Sequence, residues 1–426
     1  AASLATTLLF ALVPTIRTSR TDLRRDLAEG EHGVLARRSG LLDKGLVVFQ
    51  VGIALVLLVG AGLLIRSFTN LLAVNPGFDA RGVLTARVTL PKNQYSEDAQ
   101  VTQFWHGMVE RAEGLPGVES AGLTTDLPLE SGSYLTFRVE GRPAPPPDTV
   151  QDTVVASAGG DYFRALRIPV LHGRALDPQD DRDGRPVAVV DQAMAQRYWP
   201  GLSPIGDRIS FGGPWYTVVG IVGSVRTDSL ERPSYPHAYL SYLQSPSRSM
   251  VLTLRAKSNP GVLVGSLRAA LARLDPALPL YSIRTMDDVV ERSTMRPRFN
   301  LVVLGGFAGA ALLLALVGIY GVLSHAVSRR ARELGIRRAL GADQGVTIRF
   351  VLLLGLAPVA AGLVLGLFAA LAAERALSSL LFGVSPFDPM TIIVAVIAIA
   401  LASTVACALP ALRAARIDPM EALREE

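Results

Sequence analysis

Cysteine is nearly missing from this 426-residue sequence, and the single one, Cys407, sits inside an apolar run. One thiol makes no intramolecular disulfide, so any domain outside a membrane must hold together by its core alone. Lysine is almost as scarce: Lys44, Lys92 and Lys257 are the whole supply, and none of them follows a glycine. A phosphate-cradling GxxxxGK[ST] loop is thereby excluded. The sequence also lacks HExxH, any Cys/His cluster and GxSxG. Its histidines (His32, His106, His172, His237 and His325) are scattered, which suits surface or packing positions better than a metal centre. The acidic stretch DPQDDRD at 177–183 lacks the glycine and closing glutamate of an EF-hand loop and reads as a solvated turn. No catalytic constellation, cofactor site or metal site is expected in this chain.

What the sequence does hold is long runs without charge. Half of its residues are hydrophobic, with a net charge of +5, and the apolar residues collect instead of spreading evenly. Residues 46–65 carry no charged side chain; twenty residues at about 1.5 Å each reach the roughly 30 Å of a bilayer's hydrocarbon core. Similar spans fall at 299–327, 346–373 (with a kink expected at Pro358) and 391–412, and residues 1–13 read as the end of a truncated one. Arginine gathers beside these runs, not on one face of a soluble domain, which points to membrane topology and away from nucleic acid. The segments 14–45, 328–345 and 413–426 are arginine-rich, whereas 374–390 holds only Arg375. By the positive-inside rule the former are cytoplasmic, and the loop 374–390 and the insert 66–298 are external. A multi-pass membrane protein is expected, with residues 66–298 extracytoplasmic.

The external insert alternates in strand fashion at 83–90, 134–141, 187–190, 215–223 and 251–257, with helical patterns near 97–114 and 260–274. Two βαβ-like halves flanking a central segment follow, an α+β domain. The fold class expected is thus a helical transmembrane bundle, with four main spans plus a truncated N-terminal one, and a large α+β extracytoplasmic domain inserted after the first full span.

The chain's end also repeats its beginning. Pro14, Arg17, Arg20, Asp22, Leu27 and Glu29 fall at one constant offset on Pro410, Arg413, Arg416, Asp418, Leu423 and Glu425. Self-similarity of this kind marks a repeated structural unit. With no initial Met, residues 1–45 read as the end of a preceding copy in a longer duplicated protein.

One feature suggests mechanical work, and a second concerns only helix packing. The run RRARELGIRRALGADQG (329–345) places Leu334, Ile336 and Leu340 for apolar contact and leaves Arg332, Arg337 and Arg338 to pair, with Gly341 ending the helix. Such an element seats in a groove of a soluble partner, or else anchors to lipid headgroups; the residues alone leave both open. Gly305 with Gly309, and Gly362 with Gly366, form small-xxx-small faces for close helix packing within a bundle or at a dimer seam.

The run RRARELGIRRALGADQG and the closing ALPALRAARIDPMEALREE resemble hallmark elements of FtsX/MacB-like ABC transporter permeases. DYFRALRIPVLHGRAL (161–176), VAVVDQAMAQRYWPGLSPIGDRI (187–209) and WYTVVGIVGSVR (215–226) are similar to that family's periplasmic core domain. The duplicated arrangement resembles the acidobacterial-type permease group. The resemblance implies one span, a periplasmic domain and three further spans, and a separate cytoplasmic ABC ATPase that binds ATP and Mg. It implies that Arg332, Glu333, Gly335, Arg337, Arg338, Gly341 and Ala342 couple to that ATPase. It also implies a second permease copy (same chain or homodimer), membrane lipid and a periplasmic adaptor protein as partners, with efflux or mechanotransmission as the activity. The alternatives are a non-transporting regulator of a cell-wall hydrolase, an envelope-stress relay and a lipoprotein-extracting permease.

Overall fold

The computed structural model describes residues 32–130, 132–143, 146, 150–330, 343–378, 381–385 and 387–415. The chain divides into two compact units: residues 1–63, 303–381 and 385–426 form one, and 64–302 with 382–384 form the other. The expected truncated span at 1–13, the first copy of the tail repeat, its second copy from Arg416 onward and the coupling residues Arg332 to Ala342 lie outside the described residues, whereas Pro410 and Arg413 of the second copy are described.

In the first unit, four helices among the described residues are long and apolar enough to cross a membrane, spanning Leu42–Leu72, Met295–Arg329, Gln344–Ala373 and Pro389–Ala415. They belong to α1 (His32–Leu72), α7 (Met295–Arg329), α8 (Gln344–Ser378) and α9 (Pro389–Ala415). Pro358 lies inside α8 and Pro410 inside α9. Large apolar side chains such as Phe307, Leu314, Phe368, Ile397 and Val405 face outward. That pattern would be a liability in water and is the expected one against lipid tails.

The bundle interior is lined instead by small or slender residues, and α9 turns Ala395, Ile399, Ser403, Cys407 and Ala411 inward at every fourth position. Between α1 and α8 the backbones nearly touch. A Cβ added at Gly366 would stand 2.9 Å from the Cα and the carbonyl oxygen of Gly52, and one at Gly362 would stand 2.8 Å from the Val48 carbonyl oxygen. Gly318 of α7 similarly leaves room for the Gln50 side chain. Tyr320 of α7 accepts a 2.8 Å hydrogen bond from Arg413 of α9.

The second unit is built on a twelve-stranded sheet. Its strands are β1 (Val83–Thr89), β2 (Val118–Thr124), β3 (Tyr134–Thr136), β4 (Arg138–Val139), β5 (Asp152–Gly160) and β6 (Val170–Gly173). They continue with β7 (Val187–Asp191), β8 (Arg208–Ser210), β9 (Trp215–Val222), β10 (His237–Ser241), β11 (Ser249–Ala256) and β12 (Tyr281–Thr285). Five helices complete the unit: α2 (Asp98–Glu113), α3 (Tyr162–Ala165), α4 (Gln192–Tyr198), α5 (Leu263–Leu274) and α6 (Met286–Ser293).

The strand order β12-β1-β11-β2 joins the β1-α2-β2 and β11-α5-β12 units into one split βαβ layer of ferredoxin-like form. Helix α2 buries Val101, Phe104, Trp105, Met108, Val109 and Ala112, and α5 buries Leu263, Leu267, Ala270 and Leu271. Those i, i+3, i+4 spacings give each helix one apolar stripe, and both stripes close on the same core as Leu84, Val88, Leu123, Leu252 and Leu254. The central segment does not fold apart. Its strands extend the same sheet in the order β5-β10-β7-β9-β8-β4, with β5 antiparallel to β2, and it closes a further core around Phe137, Met194, Trp199, Tyr216 and Val218.

Arg255 braces this unit from inside. It is only 3 % exposed and donates to three backbone carbonyls: Ala165 (2.7 Å), Arg81 (2.9 Å) and Asp79 (2.8 Å). It thereby ties β11 to the end of α3 and to the loop before β1.

Two predictions follow from this packing. Gly366→Ile should lower stability in detergent by roughly 1–3 kcal/mol through overpacking, whereas Gly305→Ala, at a position with open space around it, should stay within about 0.5 kcal/mol; equal effects would deny the α1–α8 approach. Arg255→Met should cost roughly 3 kcal/mol, because it orphans buried carbonyls. All three tryptophans (Trp105, Trp199 and Trp215) lie in the external unit, so denaturant unfolding followed by their fluorescence reads that unit alone, and an unchanged midpoint would remove the bracing role.

Candidate functional site

The residues expected to couple, Arg332, Glu333, Gly335, Arg337, Arg338, Gly341 and Ala342, fall outside the described residues. The structure describes what flanks them. Helix α7 ends at Arg329, the next residue Arg330 lies over the Phe350 ring at 6.0 Å, and α8 starts at Gln344. At this end of the bundle a cavity of about 550 Å³ opens, with Asp43, Lys44, His325, Arg329 and Arg330 among its lining residues. Of the four glycines expected to pack helices, Gly362 and Gly366 stand against α1, and Gly305 and Gly309 have no atom within 4 Å of an added Cβ.

Within the external unit, the loop between α8 and α9 is held by side chains at the end of α1. Ser67 Oγ accepts from the backbone N–H of Phe382 at 2.8 Å, and Asn70 Nδ2 donates to the Gly383 carbonyl at 3.0 Å. The Phe382 ring packs on a core that contains Leu71, Phe78, Phe163 and Met286. Charge counting had assigned this loop to the external side; it carried no signal that the loop is part of the external unit. The composition LFGVS with a tolerated positive φ at Gly383 (62°) is the only local hint of a docked turn.

The links between long helices and sheet are short. α1 leads through residues 73–82 into β1, where Asn75 Oδ1 accepts from Gly77 N (2.9 Å) and the Pro76 carbonyl accepts from Arg226 N (2.9 Å). β12 leads into α6 through a capping box, with Thr285 Oγ1 accepting from Asp288 N and Asp288 Oδ2 accepting from Thr285 N. Only Thr294 separates α6 from α7, and it is buried, donating from both N and Oγ1 to the Glu291 carbonyl. β1 and β12 are themselves paired strands.

The titratable groups of the external unit serve its fold. Asp191 is fully buried; it accepts from Met194 N (2.8 Å) as the cap of α4 and from His237 N (2.9 Å) at the start of β10. Burial pushes its carboxyl above the ordinary range, against the pull of His237 and of these N–H groups. In the acidic stretch, Arg174 grips Asp180 with two 2.7 Å bonds, and Asp181 Oδ1 caps the N–H groups of Asp183 and Gly184. Burial raises the Asp180 carboxyl, but the Arg174 hydrogen bonds, the Asp177 N–H and the Arg174 charge hold it below the usual carboxylate value. Among the described residues no three His, Cys, Asp or Glu side chains are grouped to hold a metal. An open cleft of about 720 Å³ lies at the far end of the sheet, walled by Phe137, Phe211 and Trp215 with Arg138 beside them.

Comparison with known proteins agrees with this architecture. Residues 47–274 match the family described as MacB-like periplasmic core domain, and residues 305–419 match the FtsX-like permease C-terminal. The chain is 24 % identical over 425 residues to a macrolide export ATP-binding/permease protein MacB from an Azoarcus species, covering 97 % of this chain and 60 % of that protein. It is 22 % identical over 280 residues to the uncharacterized ABC transporter permease YknZ of Bacillus subtilis, covering 65 % of this chain and 70 % of that one. The crystal structure of the periplasmic region of MacB from Actinobacillus actinomycetemcomitans aligns over 51 % of this chain and 94 % of that one, at 15 % identity and a TM-score of 0.36. With four membrane-spanning helices and the α/β domain between the first and second of them, the chain belongs to the MacB-like periplasmic core domain family of ABC transporter permeases, with an FtsX-like C-terminal domain, in the bacterial inner membrane.

Proposed function

We propose that the chain is the permease subunit of a MacB/FtsX-like type VII ABC system, in which a separate cytoplasmic ATPase binds ATP and Mg and drives motion of the external domain, for efflux or mechanotransmission. The observation that supports this best is the docking of the α8–α9 loop into the external unit through Ser67, Asn70 and the Phe382 ring. Every span is then joined through the chain to that unit: α1 by way of β1, α7 by way of α6 and β12, and α8 and α9 by way of residues 382–384. A displacement imposed at the cytoplasmic ends has rigid, hydrogen-bonded elements along which to travel, and no substrate need cross the bilayer.

On this reading Arg332, Glu333, Gly335, Arg337, Arg338, Gly341 and Ala342 meet the ATPase, with the arginines pairing to its acidic groups. Gly305 and Gly309, open in this chain, serve the seam with a second permease copy. Export is favoured over regulation or lipoprotein extraction by the name of the Azoarcus relative, and a periplasmic adaptor would then meet the external unit.

Capture of the protein from native membranes in mild detergent, with mass spectrometry of what co-purifies, should yield a P-loop ATPase in stoichiometric amount. Its reproducible absence beside detergent-stable protein would withdraw the ABC coupling. The double variant Arg337→Glu, Arg338→Glu should insert into the membrane normally and lose the ATPase by at least about ten-fold, since each reversal turns a charge-assisted contact into repulsion. Undiminished association would leave 328–345 as a topological anchor only.

A further inference from the structure

The cavity at the cytoplasmic end of the bundle has two chemically different parts. Its mouth is basic: Lys44 of α1, Arg329 at the end of α7 and Arg330 line it beside His325, with Asp43 the acid among the described lining residues. Its floor is apolar and deep. Ile319 lies ten residues up α7 from Arg329, so the lining reaches about 15 Å along that helix, roughly half the hydrocarbon thickness and thus the depth of one leaflet. Leu323 and Leu354 continue the floor on two helices. The opposite end of α7, at Met295, joins the external unit, which sets this mouth on the cytoplasmic face.

We propose that this cavity is a binding site for an anionic phospholipid of the inner leaflet, with the headgroup phosphate at Lys44, Arg329 and Arg330 and an acyl chain along Ile319, Leu323 and Leu354. A soluble anion matches the mouth but leaves the apolar floor unfilled, and a zwitterionic lipid matches the floor but carries no net charge for the mouth. An anionic lipid satisfies both, and basic recesses between spans on the cytoplasmic side are suited to such headgroups. Arg330, which lies over the Phe350 ring, brings a third cation to the same mouth. The site joins the end of α1 to the end of α7, so an occupying lipid would clamp the two helices whose other ends feed paired strands of the external sheet. The inference stands on the membrane placement alone and does not depend on the ATPase reading.

The test uses the full chain, stripped of lipid in detergent, with thermal unfolding and native mass spectrometry as readouts. Phosphatidylglycerol should raise the unfolding temperature and stay bound as a discrete adduct, while phosphatidylcholine and inorganic phosphate should do neither. Lys44→Gln and Arg330→Gln should each weaken phosphatidylglycerol retention roughly five-fold. Val322→Phe, which fills the floor and leaves every charge in place, should weaken it as well, and this second variant covers the case in which a charge variant fails to insert. Equal binding of phosphatidylcholine would overturn the headgroup assignment. An equal effect of inorganic phosphate would overturn the lipid, and wild-type retention in all three variants would overturn the cavity as the site.

Discussion

Helix α1 approaches α8 until backbone meets backbone, and the rest of the bundle is arranged around that contact. In a bilayer the hydrophobic effect does not drive helices together, because lipid tails are as apolar as leucine. What remains is van der Waals fit, and fit improves as the axes close. Gly52, Gly362 and Gly366 carry no Cβ at the crossing, so Val51 and Leu55 reach the facing backbone and are fully buried. A polar amide enters the same interior: Gln50 lies against Gly318, and its Oε1 is buried without a hydrogen-bond partner. A buried acceptor without a partner is costly in that setting, and Ser403 Oγ of α9 is buried in the same state.

The external unit obeys the opposite rule. There burial from water supplies the stability, and no disulfide assists. A single sheet solves the problem economically: two apolar helices close on one side of the split βαβ layer, and the inserted strands extend the same sheet to carry a separate aromatic core. Arg255 makes the unit stiff where strand, helix and loop converge, since a guanidinium donating to three carbonyls fixes all three segments in one geometry.

Much of this was legible in the sequence because charge and periodicity are local quantities. The uncharged runs found the four helices, and the alternation at 83–90, 187–190, 215–223 and 251–257 found β1, β7, β9 and β11. The helices proved longer than the runs because α1 and α7 continue as helix beyond their apolar stretches, with Arg66 inside the one and Arg298 inside the other. Pairing was not legible. β11 lies between β1 and β2 although it is more than 120 residues from either, and nothing in its own composition names those partners. The docked loop was hidden for the same reason: Phe382 and Ser67 meet across |i−j| = 315. The glycine pairs show how far a motif reaches. Two identical small-xxx-small spacings stand in very different surroundings, Gly362 and Gly366 against α1 and Gly305 and Gly309 in open space, because the motif permits approach without choosing a partner.

The connections between helix and sheet have one more consequence. Antiparallel neighbours β1 and β12 receive the two long helices, one through a hydrogen-bonded turn and the other through a capping box and the single buried residue Thr294. Two levers attached to adjacent strands of a stiff sheet cannot shift independently without shearing a ladder of backbone hydrogen bonds, including the Leu84–Thr285 and Thr85–Arg284 pairs. Shear along that ladder is expensive, because a slip of one residue would turn every inward side chain outward. The paired strands therefore hold the exits of α1 and α7 in one register.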